Sequence, residues 1–237
     1  MPAYNEGDAI VAILDRLFDA MKLECEVLVV VDTDHDTTLP HLETYAEKEP
    51  RLRPTVNTFG PGPANAIRFG AEQAGAPVIV VTMADGSDDP EMIDDLVKLV
   101  ERGVVIAAGS RYAPGGQQVG GPRFKQFLSR FAGLLLHLFA GISTRDATNS
   151  FKAYSADFVR TVGIDSREGF EIGLELCAKA RRLRRPIGEL PTIWLDRTAG
   201  QSNFKLMQWL PRYLFWFRFA FGRRLSVEQM RGRLGRR

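Results

Sequence analysis

Apolar and polar positions along this chain follow two periods. Over residues 8–21, Ile10, Ile13, Leu14, Leu17 and Phe18 recur three and four apart and predict an amphipathic helix. Residues 26–31 then form an apolar run closed by Asp32, the pattern of a strand buried on both faces of a parallel sheet. Helical patterns follow over 39–48 and, after a glycine-rich turn, over 63–74, with a second buried strand at 78–83. A helix over 90–102, a strand over 104–108 and a long helix over 124–142, apolar nearly all round in its second half, extend the series. A helix over 168–185 ends in Arg181, Arg182, Arg184 and Arg185, which suit the negative end of its dipole, and a strand over 187–195 closes the pattern. Alternating strands and helices predict a three-layer α/β sandwich with right-handed crossovers, and place ligands beyond the carboxyl ends of the strands. Glycine- and proline-rich turns at 113–116 and 120–122 predict a mobile loop at that end.

With 237 residues and 45% hydrophobic side chains, the chain has enough apolar material for one sizeable core. A net charge of +2 excludes a general nucleic-acid binder, which needs a strongly basic face. Cys25 and Cys177 lie far apart without metal-ligand spacing and read as structural thiols in a reducing compartment. The N-terminus lacks the pattern of a secretion signal, and no stretch reaches the roughly 18 apolar residues of a spanning helix. Charge is nevertheless uneven. Aromatic residues crowd 209–221 on all sides, with Arg212 and Arg218 among them and Arg223, Arg224, Arg231, Arg233, Arg236 and Arg237 behind. A core helix is the ordinary reading of such a segment, yet aromatics all round followed at once by arginines favour a helix lying at an anionic membrane surface. Helix 124–142 is expected to add a second contact. The expected organisation is therefore a domain over 1–205 and a membrane-proximal tail over 206–237.

Three acid-bearing segments follow predicted strands. Asp32, Asp34 and Asp36 come after the first, and Asp85, Asp88 and Asp89 after the second. Asp88 and Asp89 before Pro90 serve equally well as helix caps. Asp85, in Met83-Ala84-Asp85-Gly86-Ser87, precedes the helix and suits a hard divalent cation that neutralises a diphosphate. Gly60-Pro61-Gly62-Pro63 opens a helix near which an anion could sit, but its prolines remove amide donors and a tight turn is the better reading of that segment alone. His35, His41 and His137 show no ligand spacing.

Together these segments resemble the family 2 glycosyltransferases of the GT-A fold, and within them the polyprenyl-phosphate sugar transferases typified by dolichol-phosphate mannose synthase. The resemblance runs in order through Pro2-Ala3-Tyr4-Asn5-Glu6, Asp32-Thr33-Asp34-His35-Asp36, Gly60-Pro61-Gly62, Ala84-Asp85, Gly109-Ser110-Arg111-Tyr112, the segment from Asp146 through Asn149 to Tyr154, Glu189-Leu190-Pro191 and Asp196-Arg197. It implies a Rossmann-like, mostly parallel mixed sheet. It implies a nucleotide pocket formed by Pro2, Tyr4, Glu6, Asp32 and Gly62, and a Mg2+ or Mn2+ site formed by Asp85 with Ser87 and Asp88. Asp85, Arg111, Arg130 and Arg197 become the catalytic set, of which Arg111 and Arg130 receive the acceptor phosphate with Ser129. The implied partners are a nucleotide-sugar donor, a polyprenyl-phosphate acceptor and the membrane surface, not nucleic acid, with the protein cytoplasmic and peripheral at the inner face. Guanidinium groups suit bidentate phosphate recognition.

Two departures stand out. Met83 replaces the first carboxylate of the family's DxD, which implies weaker metal binding or a non-catalytic relative that only binds nucleotide sugar or lipid phosphate. The usual first strand is reduced to its last position at Met1, leaving unpaired edges and predicting low stability. A phosphate acceptor is already ionised and needs no base. A hydroxyl acceptor requires one, with Asp146 and Glu175 as the candidates.

Overall fold

The computed structural model describes residues 1–196 and 206–235. Strands β1 (Pro2–Ala3), β2 (Val27–Val31) and β3 (Leu52–Val56) form a parallel three-stranded sheet in the order β1-β2-β3. Strands β4 (Val78–Val81), β5 (Ile106–Ser110), β7 (Lys152–Ser155) and β8 (Ile187–Pro191) form a mixed sheet in the order β4-β7-β5-β8, with β7 antiparallel to both neighbours. Short strands β6 (Gln117–Val119) and β9 (Ile193–Leu195) pair in parallel.

Side chains alternate across the strands and sort the helices into two layers. Val29, Val31, Ala107 and Ala153 pack with α1 (Ala9–Ala20), α2 (Leu39–Ala46) and α4 (Ile93–Glu101). Ile79, Ile106 and Tyr154 pack instead with α3 (Pro63–Gln73), α6 (Ala156–Val162) and α7 (Ile172–Arg182), and with α8 (Leu206–Ala220) and α9 (Val227–Leu234). Helix α1 buries Ile10, Leu14, Leu17 and Phe18 of the stripe its spacing predicts and leaves Ile13 half-buried, and each fully buried aliphatic contributes roughly 1.5–3 kcal/mol. Helix α5 (Arg123–Leu135) continues as a π-helical turn, Leu136–Ala140, that ends at left-handed Gly141.

Several elements differ from the sequence pattern. The first strand is not lost, because Pro2 and Ala3 pair with Val30 and Val31; β1 and β4 nonetheless each end a sheet, and a single core containing Ala3, Val31, Ala107 and Phe151 joins the two sheets. The 113–122 loop is tied by β6 to β9, and Asp196 N donates to Val119 O at 2.9 Å. The aromatic helix α8 is largely a core element. Trp209, Trp216 and Ala220 are buried, and Trp216 shares its cluster with Ile106, so packing accounts for much of the aromatic content. Cys25 and Cys177 are free thiols, and burial pushes the Cys177 thiol up to about 11.

Candidate active site

The loops after β1, β2 and β3 are laced together by carboxylates. Asp36 is buried and accepts from the backbone N–H of Asn5 (3.2 and 3.1 Å) and of Thr38 (2.8 Å), while the Thr38 hydroxyl accepts from Glu6 N at 3.0 Å. This holds Asn5 in the left-handed region at φ 53° and lays the 2–6 loop on the 32–38 loop. Asp32 accepts from Asn57 Nδ2 (3.2 Å) and Gly62 N (2.8 Å), which draws the Gly60-Pro61-Gly62 turn onto β2. Gly62 sits at φ 112°, a conformation open to glycine. Four of the predicted nucleotide residues, Tyr4, Glu6, Asp32 and Gly62, thus lie on loops bonded into one surface. Tyr4 is exposed on it, whereas Pro2 is buried within β1. Asp36 was read only as one of the acids after β2, and Thr38 and Asn57, which organise this surface with it, were given no role by the sequence. The readable signal was Asp36 two residues before Thr38, the spacing of an Asx turn.

Beyond β4 the Asp85 carboxylate accepts from Ser87 N at 3.0 Å, and buried Ser87 accepts from Leu195 N through its carbonyl, joining this turn to β9. Asp88 turns back on the strand, its Oδ2 accepting from Met83 N (2.9 Å) and Thr82 Oγ1 (3.2 Å). Asp89 takes the capping role, accepting from Glu91 N. Burial pushes the Asp88 carboxyl up to about 7, and the nearby Asp85 charge adds to it against the opposing pull of the Met83 N–H and Arg111. Hard carboxylate oxygens suit a divalent cation. Among the described residues, however, no three His, Cys, Asp or Glu side chains gather as a metal cluster, so these carboxylates suit a cation that draws further ligands from a bound diphosphate.

Beyond β5 the charges are matched. Arg111 grips Asp146 in a fork, Nε to Oδ2 at 2.7 Å and Nη2 to Oδ1 at 2.9 Å, and its backbone N–H donates to Oδ2 at 3.0 Å. Asp146 is 0% exposed, and its Oδ1 also accepts from Asn149 N. Burial acts to raise its pKa, but the Arg111 charge and hydrogen bonds outweigh it and hold the carboxyl below its usual range. Arg111 Nη2 also reaches the Ser129 hydroxyl (3.3 Å), which bonds Thr148 Oγ1 at 2.7 Å. Close packing permits this. A Cβ on Gly133 would lie 2.0 Å from the Arg145 carbonyl oxygen, so only glycine lets α5 approach that loop.

Arg130, one residue on, is exposed and near enough to Tyr112 to act on its titration. Arg197 lies outside the described residues. Neither candidate base is available as one: Asp146 is paired and sealed, and fully buried Glu175 accepts from Asp165 N, Ser166 N and Lys179 Nζ.

Helix α5 also carries a bare apolar stripe. Phe124 (68% exposed), Phe127, Phe131, Leu134 and Leu138 recur three, four, three and four apart beside Ser129 and Arg130. No helix among the described residues is long and apolar enough to cross a membrane.

Known proteins resemble this chain in sequence and in fold. The family model described as Glycosyl transferase family 2 matches residues 1–163. The undecaprenyl-phosphate mannosyltransferase of Micrococcus luteus is 32% identical over 209 residues, covering 86% of this chain and 85% of its own. Glucosyl-3-phosphoglycerate synthase from Mycobacterium tuberculosis, solved with Mn2+, UDP and glucosyl-3-phosphoglycerate, superposes with a TM-score of 0.67 at 16% identity, over 95% of this chain and 79% of that one. A mannosyltransferase from Pyrobaculum calidifontis in complex with GDP-Man and Mn2+ gives 0.64 at 17% identity, over 99% and 67%. The two structural likenesses establish the α/β fold of such glycosyltransferases.

Proposed function

The chain belongs to glycosyl transferase family 2, and from that premise we propose that it moves a sugar from a nucleoside-diphosphate donor to a polyprenyl phosphate at the cytoplasmic face of a membrane. One observation carries the choice of acceptor. Helix α5 presents Ser129 and Arg130, next to Arg111, on the same short stretch as its exposed apolar stripe, and an acceptor with an anionic head and a long hydrocarbon tail needs both. The Micrococcus luteus relative, named for an undecaprenyl-phosphate acceptor, supports the same reading.

In this proposal the base and ribose rest on the surface built by Tyr4, Glu6, Asp32 and Gly62. Asp85, with Ser87 and Asp88 beside it, would hold Mg2+ or Mn2+, which would neutralise charge on the departing nucleoside diphosphate. Asp146 fixes Arg111 by two of its nitrogens, and Nη1 has no hydrogen-bond partner among the described residues. That nitrogen, the Ser129 hydroxyl and Arg130 position the acceptor phosphate, whose ionised oxygen attacks the anomeric carbon without help from a base. Arg197 is assigned to the donor diphosphate. The burial of Asp146 and Glu175 argues against a hydroxyl acceptor, which requires a base. Residues 206–237 are the membrane-proximal part of the chain.

The test offers the full chain polyprenyl phosphate in detergent, Mn2+ and a panel of radiolabelled nucleotide sugars. Label should enter the organic phase with at least one donor. Label found only in water-soluble products would overturn the lipid acceptor.

A further inference from the structure

Away from the active site, the end of α7, the end of the π-helical turn and the chain after α8 enclose a cavity of about 640 Å3. Five arginines line it, Arg181, Arg184, Arg185, Arg223 and Arg224, and no acidic residue does. None of the five forms an ion pair among the described residues.

The walls are fastened in place. Arg181 donates to the carbonyls of Ala140 and Gly222 (2.7 Å to the latter), Arg182 donates to those of Phe219 (2.8 Å) and Arg223, and Leu225 N donates back to Arg182 O at 2.9 Å. These bonds hold the Arg223-Arg224 turn across from Arg184 and Arg185. Arg184 itself lies in the left-handed region at φ 54°, unusual for a side chain of its size. The Arg182 guanidinium is lowered by burial and then by the charges of Arg233 and Arg181, which agrees with a strongly positive field. A gathering of like charges that the fold rigidly maintains calls for an anion.

The rim identifies which anion. Leu138 and Phe139 (71% exposed) immediately precede the lining residues Ala140 and Gly141, and exposed Phe221 precedes Arg223 by two residues. A soluble phosphate compound has no use for such a rim, whereas a headgroup joined to acyl chains does. The cavity also ends the same helix whose other portion carries Ser129, roughly 16 Å away at 1.5 Å per residue.

We propose that this arginine cavity binds the phosphate of anionic phospholipid headgroups, with Leu138, Phe139 and Phe221 entering the acyl boundary, and that it anchors α5 flat on the membrane. The site is separate from the acceptor site and independent of what the enzyme glycosylates.

The experiment is sedimentation of the full chain with phosphatidylcholine vesicles, with and without phosphatidylglycerol, in the absence of polyprenyl phosphate and nucleotide sugar. Arg184→Gln/Arg185→Gln and, from the opposite wall, Arg223→Gln/Arg224→Gln should each weaken binding to the anionic vesicles by roughly 25-fold, at roughly fivefold per arginine. Lys48→Gln/Arg102→Gln, which removes the same charge from exposed positions elsewhere, should leave most of it. Thermal melts confirm that each variant folds. Equal losses in all three double variants would overturn the proposal, as would displacement of the vesicles by millimolar inorganic phosphate in preference to bound lipid.

Discussion

Asp146 and Asp88 are both buried, 0% and 6% exposed, yet their carboxyls titrate in opposite directions. Asp146 faces a guanidinium in a two-bond fork and stays ionised. Asp88 faces backbone and hydroxyl donors, with a second carboxylate nearby, and is pushed towards its neutral form. Arg111 is therefore oriented by Asp146 before any ligand arrives, while burial and the nearby Asp85 charge favour the protonated form of Asp88. Burial alone does not set the behaviour of a carboxylate; the sign of its neighbours does.

The largest effect should come from breaking the matched side. Arg111→Met leaves Asp146 buried and unpaired, which costs about 3–5 kcal/mol. Chemical denaturation measures this, and Arg111→Lys, which keeps the charge but loses the fork, should recover only part. If Arg111→Met were within experimental error of the parent in stability, Asp146 could not be held by this pair.

How much of that contrast was legible beforehand depends on how each residue announces itself. The buried runs at 26–31 and 78–83 and the stripe of α1 declared the α/β sandwich, and the acids at strand ends pointed to the loops after β2 and β4. Strand β7 escaped because it opens with Lys152, a charge that reads as surface; its ammonium is buried and donates to the carbonyls of Asp146 and Asn149. Strand β3 escaped behind Arg53 and Pro54, and the β6–β9 pairing joins residues more than seventy positions apart, beyond the reach of any local pattern. Asp146 was legible as an acid but not as the partner of Arg111, since thirty-five residues separate them. The aromatic helix was only half legible, for the converse reason. Its composition suits a membrane surface, and only the fold shows that Trp216 and Ala220 face the core while α5 exposes its apolar side.

Breaking the Asp85 side should affect turnover more than folding. Asp85→Ala removes the carboxylate assigned to the cation, and a fall in sugar transfer on the order of 10²–10³ is expected, the usual loss when one preorganised electrostatic group is removed. The substitution also removes one cause of the raised Asp88 pKa, while Ser87 N loses its acceptor. Transfer at the parental rate would remove Asp85 from the chemistry and, with it, the idea that this side awaits a cation.

The last effect is the most discriminating, since it reads the Asp88 charge directly. The folded Asp88 carboxyl titrates near 7 against 3.8 for an ordinary Asp, so the folded state holds this proton more tightly than the unfolded chain does. Its stabilising contribution is complete below about pH 3.8 and is lost as pH rises to about 7, with a slope of at most about 1.4 kcal/mol per pH unit. Asp88→Asn keeps an acceptor for Met83 N and Thr82 but cannot ionise, so its melting temperature should vary less with pH across that window, and the gap between the two proteins should change steadily with pH. Added Mn2+ at pH 7.5 should stabilise the parent more than the variant, because the cation compensates a charge that only the parent carries. Parallel melting curves with and without Mn2+ would mean that Asp88 is charged at no cost, and the opposition between the two sides of the site would then rest on Asp146 alone.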